Sequence, residues 1–271
     1  PVFLLIALGV FLASGILGAA QWAILLRFHG ITPPFPVTVS RYFMGLFFNY
    51  ILPGFIGGDI VRVYQASRGG KSTRAFSSTL ADRVIGLLVL VLFSLGAFLF
   101  LDRGPANEAL PAALILFLAL AGFAAFFRIR RLGDSAGRIF GRFAPEKAQR
   151  KLKDVYDEMN GLTGSPGVLA AVAATSVLIQ AARISVHYLC GRAVGIEAGF
   201  LYFALFVPVM EIVASLPVSI GGVGVRETIG VTLFSTIGVA RPFVVAYSLL
   251  ATLTGFVGSL PGGAAFALKK R

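Results

Sequence analysis

Apolar residues in this chain come in long uninterrupted runs separated by short polar clusters, and the runs have the length of membrane-crossing helices, ~20 residues. Val2 to Leu26 is apolar apart from Ser14 and Gln21, and Trp22 and Arg27 near its end read as an interfacial aromatic and a flanking cation. Pro33, Pro34 and Pro36 close a short loop, after which Val37 to Leu52 reads as an aromatic-rich helix. Further spans are predicted over Ala75 to Leu101, Pro111 to Phe127, Gly167 to Cys190 and Arg241 to about Ala265, with a second aromatic limb over Gly199 to Leu216 followed by Val223 to Gly238.

Two interruptions of this pattern share one sequence. Leu52-Pro53-Gly54-Phe55-Ile56-Gly57-Gly58-Asp59-Ile60-Val61-Arg62 and Leu216-Pro217-Val218-Ser219-Ile220-Gly221-Gly222-Val223-Gly224-Val225-Arg226 match in a single register of 164 residues. Proline and paired glycines break a helix, and backbone freed at membrane depth is tolerated only where protein or a water-filled cavity satisfies it. Pro53, Gly57, Gly58, Pro217, Gly221 and Gly222 are therefore the expected helix breaks, one set per half, and each limb pair is expected to form a broken or re-entrant hairpin. Close helix packing is the alternative use of the four paired glycines.

Each half contains a span, a broken hairpin and a span, and one extra span, Pro111 to Phe127, separates them. An odd crossing between two equal units inverts the second relative to the first. The expected fold is thus all-α, a polytopic helical membrane protein built as one transmembrane domain over residues 1–271, with inverted repeats at 1–101 and 166–271. Residues 102–165 hold the extra span and a basic insertion. Between Arg128 and Pro166, nine Lys or Arg stand against five acids, and Leu132, Ile139, Phe140, Phe143, Leu152, Val155 and Met159 recur at helical spacing. One or two amphipathic helices on the cytoplasmic membrane surface are expected there, either fixing topology or holding anionic headgroups. The Lys269-Lys270-Arg271 tail is placed on the same side.

Composition agrees with a membrane protein: 57% hydrophobic, 13% charged, mean hydropathy +0.86. The formal charge of +12 would suggest a nucleic-acid partner in a soluble protein, but here it follows from cationic inner loops, and no nucleic acid is expected. Cys190 is the single cysteine, so no intrachain disulfide can form. The chain starts at Pro1 rather than Met, which leaves room for residues, or a further helix, upstream.

Ionisable groups within a bilayer cost at least ~2.5–3.5 kcal/mol each, so every one is a candidate for function. Asp59 and Arg62 lie i,i+3 after the first break; Arg226 is the counterpart of Arg62, with Glu227 beside it; Glu211 lies six residues before the second break. Gln180, Arg183 and His187 form a stripe on one helical face, and Asp82 and Arg83 complete the set. The expected substrate-binding residues are Asp59, Arg62, Asp82, Arg83, Arg183, Glu211, Arg226 and Glu227. Mutual pairing that merely locks the broken helices is the competing use. No P-loop, H-E-x-x-H, Cys/His cluster or G-x-S-x-G is present, so no enzyme activity, metal or cofactor is expected.

The segments Asn49 to Arg62, Ala81-Asp82-Arg83-Val84-Ile85-Gly86 and Leu216 to Glu227 together resemble the lysylphosphatidylglycerol synthase transmembrane region family, the flippase-like domain found fused to an aminoacyl-transferase and also alone. Asp82 stands where that family suggests Glu, and no transferase domain accompanies it. What the resemblance implies is movement of a phospholipid or polyprenyl-linked lipid between leaflets of a prokaryotic cytoplasmic membrane, with lysyl-phosphatidylglycerol the best-known cargo of fused members. The phosphate would be held by Arg62, Arg226 and Arg183, and the acids would pair those arginines in the empty site or receive a cationic headgroup. A non-transporting lipid-binding accessory protein and a small-solute carrier are the alternatives. Lipid identity, direction, energy source and assembly as a monomer or homo-oligomer are open.

Overall fold

A computed structural model describes residues 1–52, 56–67, 70–101, 110–128, 145–215 and 222–268. Every regular element among them is helical. In chain order these are α1 (Val2–Phe28), α2 (Phe35–Ile51), α3 (Ile56–Ala66), α4 (Ser72–Phe100), α5 (Leu110–Arg128), α6 (Glu146–Thr163), α7 (Pro166–Ala193), α8 (Phe200–Ala214), α9 (Val225–Ser235) and α10 (Arg241–Ala267). Four of them, α1, α4, α7 and α10, are long and apolar enough to cross a membrane, and α5 and α8 are shorter apolar helices.

Polarity runs opposite to that of a soluble protein. Leu5, Leu99, Phe100, Ile115, Leu118 and Leu253 face outward, whereas Gln21, Asn49, Arg62, Asp82, Gln180 and Arg226 are buried. An apolar exterior around polar groups is stable only where the surroundings are hydrocarbon. The protein is an all-helical, multi-pass membrane protein.

The limbs of each hairpin differ in length. α2 and α8 have 17 and 15 residues, and α3 and α9 have 11 each. At ~1.5 Å per residue the short limbs span ~16 Å, about half of a hydrocarbon core. α1 packs along α7, and around that pair the contacts repeat. α2 lies on α3 and α10 as α8 lies on α9 and α4; α3 touches α4 as α9 touches α10; α1 meets α4 and α10 as α7 meets α10 and α4. Exchanging the four helices of one half with those of the other leaves this pattern unchanged.

Small residues permit the closest of these approaches. On α10, a side chain at Gly262 would overlap the backbone of Phe43, and one at Gly263 would meet the Phe47 ring at 2.8 Å. The largest apolar core lies in the second half, where Phe203, Phe206, Phe234 and Tyr247 pack edge to face. These rings hold α8, α9 and α10 together.

The amphipathic expectation for the basic insertion is met at α6, with a different surface beneath it. Met159 and Leu162 are buried against Leu25, Phe127 and Val172, so the apolar face is taken by the helix bundle, while Leu152 is exposed. Glu158 completes the attachment: its Oε2 lies 2.7 Å from His29 Nδ1, and Oε1 accepts from Arg74 Nε at 3.0 Å. Leu132, Ile139, Phe140 and Phe143 lie outside the described residues.

Candidate polar cavity between the two hairpins

The first hairpin is tied across its break by a side chain: the Gly58 N–H donates to Asn49 Oδ1 at 3.0 Å. Gly57 and Gly58 fall in the first turn of α3 and serve close packing, since a Cβ on Gly57 would overlap Leu52 and one on Gly58 would overlap Asn49 and the Gly45 carbonyl. Gly45 in turn leaves room for the stem of Arg62, whose Cγ and Cδ a Cβ there would meet at 2.6 and 2.7 Å. Pro53, Pro217 and Gly221 lie outside the described residues. Gly222 serves differently from its counterpart Gly58: its φ of +76° is the left-handed turn that a side chain disfavours.

Arg62 is held by two acids and two aromatic rings. Its Nη2 donates to Asp82 Oδ2 at 2.7 Å, its Nη1 reaches Asp59 Oδ1 at 3.4 Å, and its guanidinium carbon lies 4.5 Å from the ring centres of both Trp22 and Tyr42. Cations favour such ring faces, by ~2 kcal/mol or more once water is excluded. Asp82 Oδ1 accepts from Gln21 Nε2 at 2.8 Å, and Asp59 Oδ2 accepts from Arg83 Nη2 and Nε at 2.6 and 3.0 Å. Trp22 is therefore no interfacial anchor: it is fully buried, and its ring is one wall of the arginine's enclosure.

In the second half, Arg226 donates from Nε and Nη2 to Glu211 at 2.6 and 3.3 Å and from Nη1 to Thr252 Oγ1 at 2.7 Å. His187 Nε2 lies 3.4 Å from Glu211 Oε1. Glu227 is not Arg226's partner. Its Oε2 accepts from the Gly224 N–H at 2.5 Å, closing the first turn of α9, and its Oε1 accepts from Ser248 at 2.7 Å.

Between these clusters lies a cavity of about 150 Å³. Arg62, Asp82, Arg83, Arg183, Glu211 and Arg226 all line it, joined by Gln21, Tyr42, Asn49, Tyr50, Gln180, His187 and Thr252. Of the eight sequence-derived candidates, Asp59 and Glu227 stand behind that lining, each holding or capping a neighbour. The α7 stripe of Gln180, Arg183 and His187 faces the cavity as its spacing requires. Arg183 differs from the other lining arginines: no acid or other hydrogen-bond acceptor among the described residues lies within bonding distance, although its charge is felt at Tyr42, Tyr50 and Glu211. No group of three or more metal-ligating side chains is found among the described residues.

Sequence reasoning missed Tyr42, Tyr50, Ser248 and Thr252 as cavity or support residues, and gave Gln21 and Asn49 no role. Gln21 carried a signal, as one of two polar residues in an apolar run, and Asn49 stood at the head of a recognised motif. Ser248 and Thr252 carried none, because small hydroxyl residues are ordinary in membrane helices.

Residues 1–262 match the family model described as the lysylphosphatidylglycerol synthase TM region. The chain belongs to that family. Its relatives include the UPF0104 membrane protein PH1989 of Pyrococcus horikoshii, 26% identical over 96% of this chain and 85% of that protein. Two UPF0104 membrane proteins of Methanothermobacter thermautotrophicus are each 23% identical, over 89% and 94% of this chain and 76% and 82% of their own lengths. No solved structure matches.

Proposed function

We propose that the protein is a lipid translocase of the prokaryotic cytoplasmic membrane, moving a phosphate-bearing lipid, phospholipid or polyprenyl-linked, between leaflets. The observation that carries this reading is Arg183, a cation inside the helix bundle with no acid within bonding distance among the described residues, lining a cavity that lies between two pseudo-equivalent hairpins. An unpaired guanidinium at membrane depth is costly, and its planar fork suits a phosphate oxygen pair. Arg183 is the primary phosphate contact. Arg226 and Arg83 adjoin it, and Arg62, sealed by two rings and two acids, positions the first hairpin rather than the headgroup.

The two halves are inverted repeats in this reading, because α5 adds one crossing between them. Hairpin α2–α3 then opens toward the cytoplasm with α6 and the C-terminus, and α8–α9 opens outward. Rocking of one half against the other exposes the cavity to each leaflet in turn. The cavity as described has room for roughly ten waters, enough for a phosphate and a small polar group while the acyl chains stay outside.

The test is leaflet-resolved flipping of labelled phospholipid in proteoliposomes. Arg183→Ala removes no hydrogen bond or ion pair among the described residues, so its thermal stability is expected to match wild type while its flipping rate falls at least about tenfold. Equal rates in wild type, Arg183→Ala and protein-free vesicles would remove the translocase reading. Lipid binding that depends on Arg183 without any flipping would instead leave a non-transporting accessory protein.

A further inference from the structure

We infer that the cavity selects a headgroup carrying one negative phosphodiester and hydroxyl groups, and discriminates against headgroups bearing an ammonium. This rests on the lipid reading above and goes on to name the headgroup class. It follows from counting which polar atoms around the cavity are already used.

All eight oxygens of the four nearby carboxylates have donors within the protein. Asp82 takes Gln21 and Arg62; Asp59 takes Arg62 and Arg83; Glu211 takes Arg226 on both oxygens; Glu227 takes Ser248 and the Gly224 N–H. The two acids that line the cavity, Asp82 and Glu211, are each already neutralised by an arginine, so an incoming ammonium would have to compete with a guanidinium, and placing it beside Arg183 adds like-charge repulsion to desolvation. A phosphodiester meets the opposite situation, because Arg183 lines the cavity with no acid within bonding distance among the described residues.

The neutral groups without partners point the same way. Gln180 spends its Nε2 on the Gly86 carbonyl at 3.0 Å, and its Oε1, buried, has no partner. His187 Nε2 faces Glu211, which favours the proton on that nitrogen, and leaves Nδ1 as an unpartnered buried acceptor. Arg183, Gln180 and His187 line the cavity from one face of α7, so a single cation stands beside two side chains that each keep a buried acceptor without a partner. An anion attached to a polyol supplies what each lacks: oxygens for the guanidinium and O–H donors for the amide and imidazole. Unfilled acceptors of this kind reward a ligand hydroxyl and penalise its absence.

The experiment uses the purified full chain in detergent with three short-chain lipids of identical tails: phosphatidylglycerol, phosphatidylethanolamine and lysyl-phosphatidylglycerol. Binding is read by native mass spectrometry and by competition. Phosphatidylglycerol is expected to bind at least about tenfold more tightly than either amine-bearing lipid, the size of one charge-assisted hydrogen bond. Gln180→Leu is expected to weaken phosphatidylglycerol selectively, and Arg183→Ala to bring it down to the level of phosphatidylethanolamine. Equal or tighter binding of either amine-bearing lipid to wild type would overturn the headgroup inference while leaving the lipid reading intact. Failure of all three to bind would overturn both the headgroup inference and the phospholipid form of the lipid reading.

Discussion

Arg62 and Arg226 occupy the same place in the repeat, yet their surroundings share almost nothing. Arg62 is neutralised by Asp82 of α4 and Asp59 of α3 and is stacked between Trp22 and Tyr42. Arg226 is neutralised by Glu211 of α8 and hydrogen-bonded to Thr252 of α10. In the 164-residue register, Ala246 stands opposite Asp82, Val223 opposite Asp59, Phe47 opposite Glu211, and Val186 and Phe206 opposite the two rings. The repeat thus places both cations, while each half supplies its acid from a different element. The requirement that recurs is chemical: a buried guanidinium must be paired. The solutions differ in access, since the Asp82 side chain is 8% exposed and that of Glu211 24%. One half holds a sealed strut and the other a pair open to the cavity.

The sharpest way to break that contrast is to remove one acid from each half. Asp82→Asn leaves the buried Arg62 with one anionic partner, the longer contact to Asp59, and loss of one partner of a buried pair costs ~3–5 kcal/mol. A large fall in thermal midpoint in detergent is expected. Glu211→Gln removes an acid of the same charge, but Glu211 is the more exposed of the two acids and Arg226 keeps Thr252. Its expected cost is smaller, ~1–3 kcal/mol. Equal losses in the two variants would show that the sealed and open descriptions are mistaken.

A second measurement refines the difference. With Glu211 neutral, Arg226 joins Arg183 as a cation available to an anion, so short-chain phosphatidylglycerol should raise the midpoint of Glu211→Gln by more than that of wild type. Asp82→Asn should gain no such extra increment, because Trp22 and Tyr42 still cover Arg62. Comparable gains in both variants would mean that ligand reaches Arg62 as well.

The backbone plan was legible in the sequence, because runs of apolar residues and a matched pair of breaks are coarse signals that packing cannot override. The all-helical membrane fold, four of the five expected spans as long apolar helices, the fifth, Pro111 to Phe127, as the shorter apolar α5, and the cavity-facing stripe on α7 follow from them. Partnerships were less legible. Asp59, Glu211 and Glu227 were all candidates to pair the arginines; Glu227, although adjacent to Arg226, caps α9, while Glu211, fifteen residues away, takes the arginine. Adjacent residues on a helix diverge by about 100°, so neighbours in sequence rarely meet, and which distant acid approaches depends on hairpin packing. Trp22 misled for a similar reason. An aromatic near the end of a span reads as an interfacial anchor, and only the tertiary position of α3 puts a guanidinium against it.

The smallest effect concerns how the sealed half is held from outside, and it is set by pH. Both contacts of Glu158 on α6 go to the first half, to His29 after α1 and to Arg74 on α4. Burial holds His29 below its ordinary value of 6.5, consistent with an Nε2 that is enclosed without a partner. Partial burial pushes the Glu158 carboxyl up, but hydrogen bonds and charge from His29 and Arg74 bring it below its ordinary 4.5. Both shifts have the same sign: the folded state binds fewer protons than the unfolded, so stability is full above the unfolded value and is lost as pH falls. Loss should begin as pH drops below about 6.5 through His29 and continue below about 4.5 through Glu158. Since Arg74 is half exposed, its pair with Glu158 is worth ~1 kcal/mol or less. Hydrogen exchange at the α6 amides, corrected for intrinsic rates, should therefore show protection declining modestly between pH 7 and 5. His29→Gln should abolish that upper step and leave the acid one. The exchange behaviour of α9 should stay level over the same range, since no contact of α6 reaches Arg226 or Glu211 among the described residues. Protection that is flat in α6, or that falls equally in α9, would mean that α6 does not brace the first half alone.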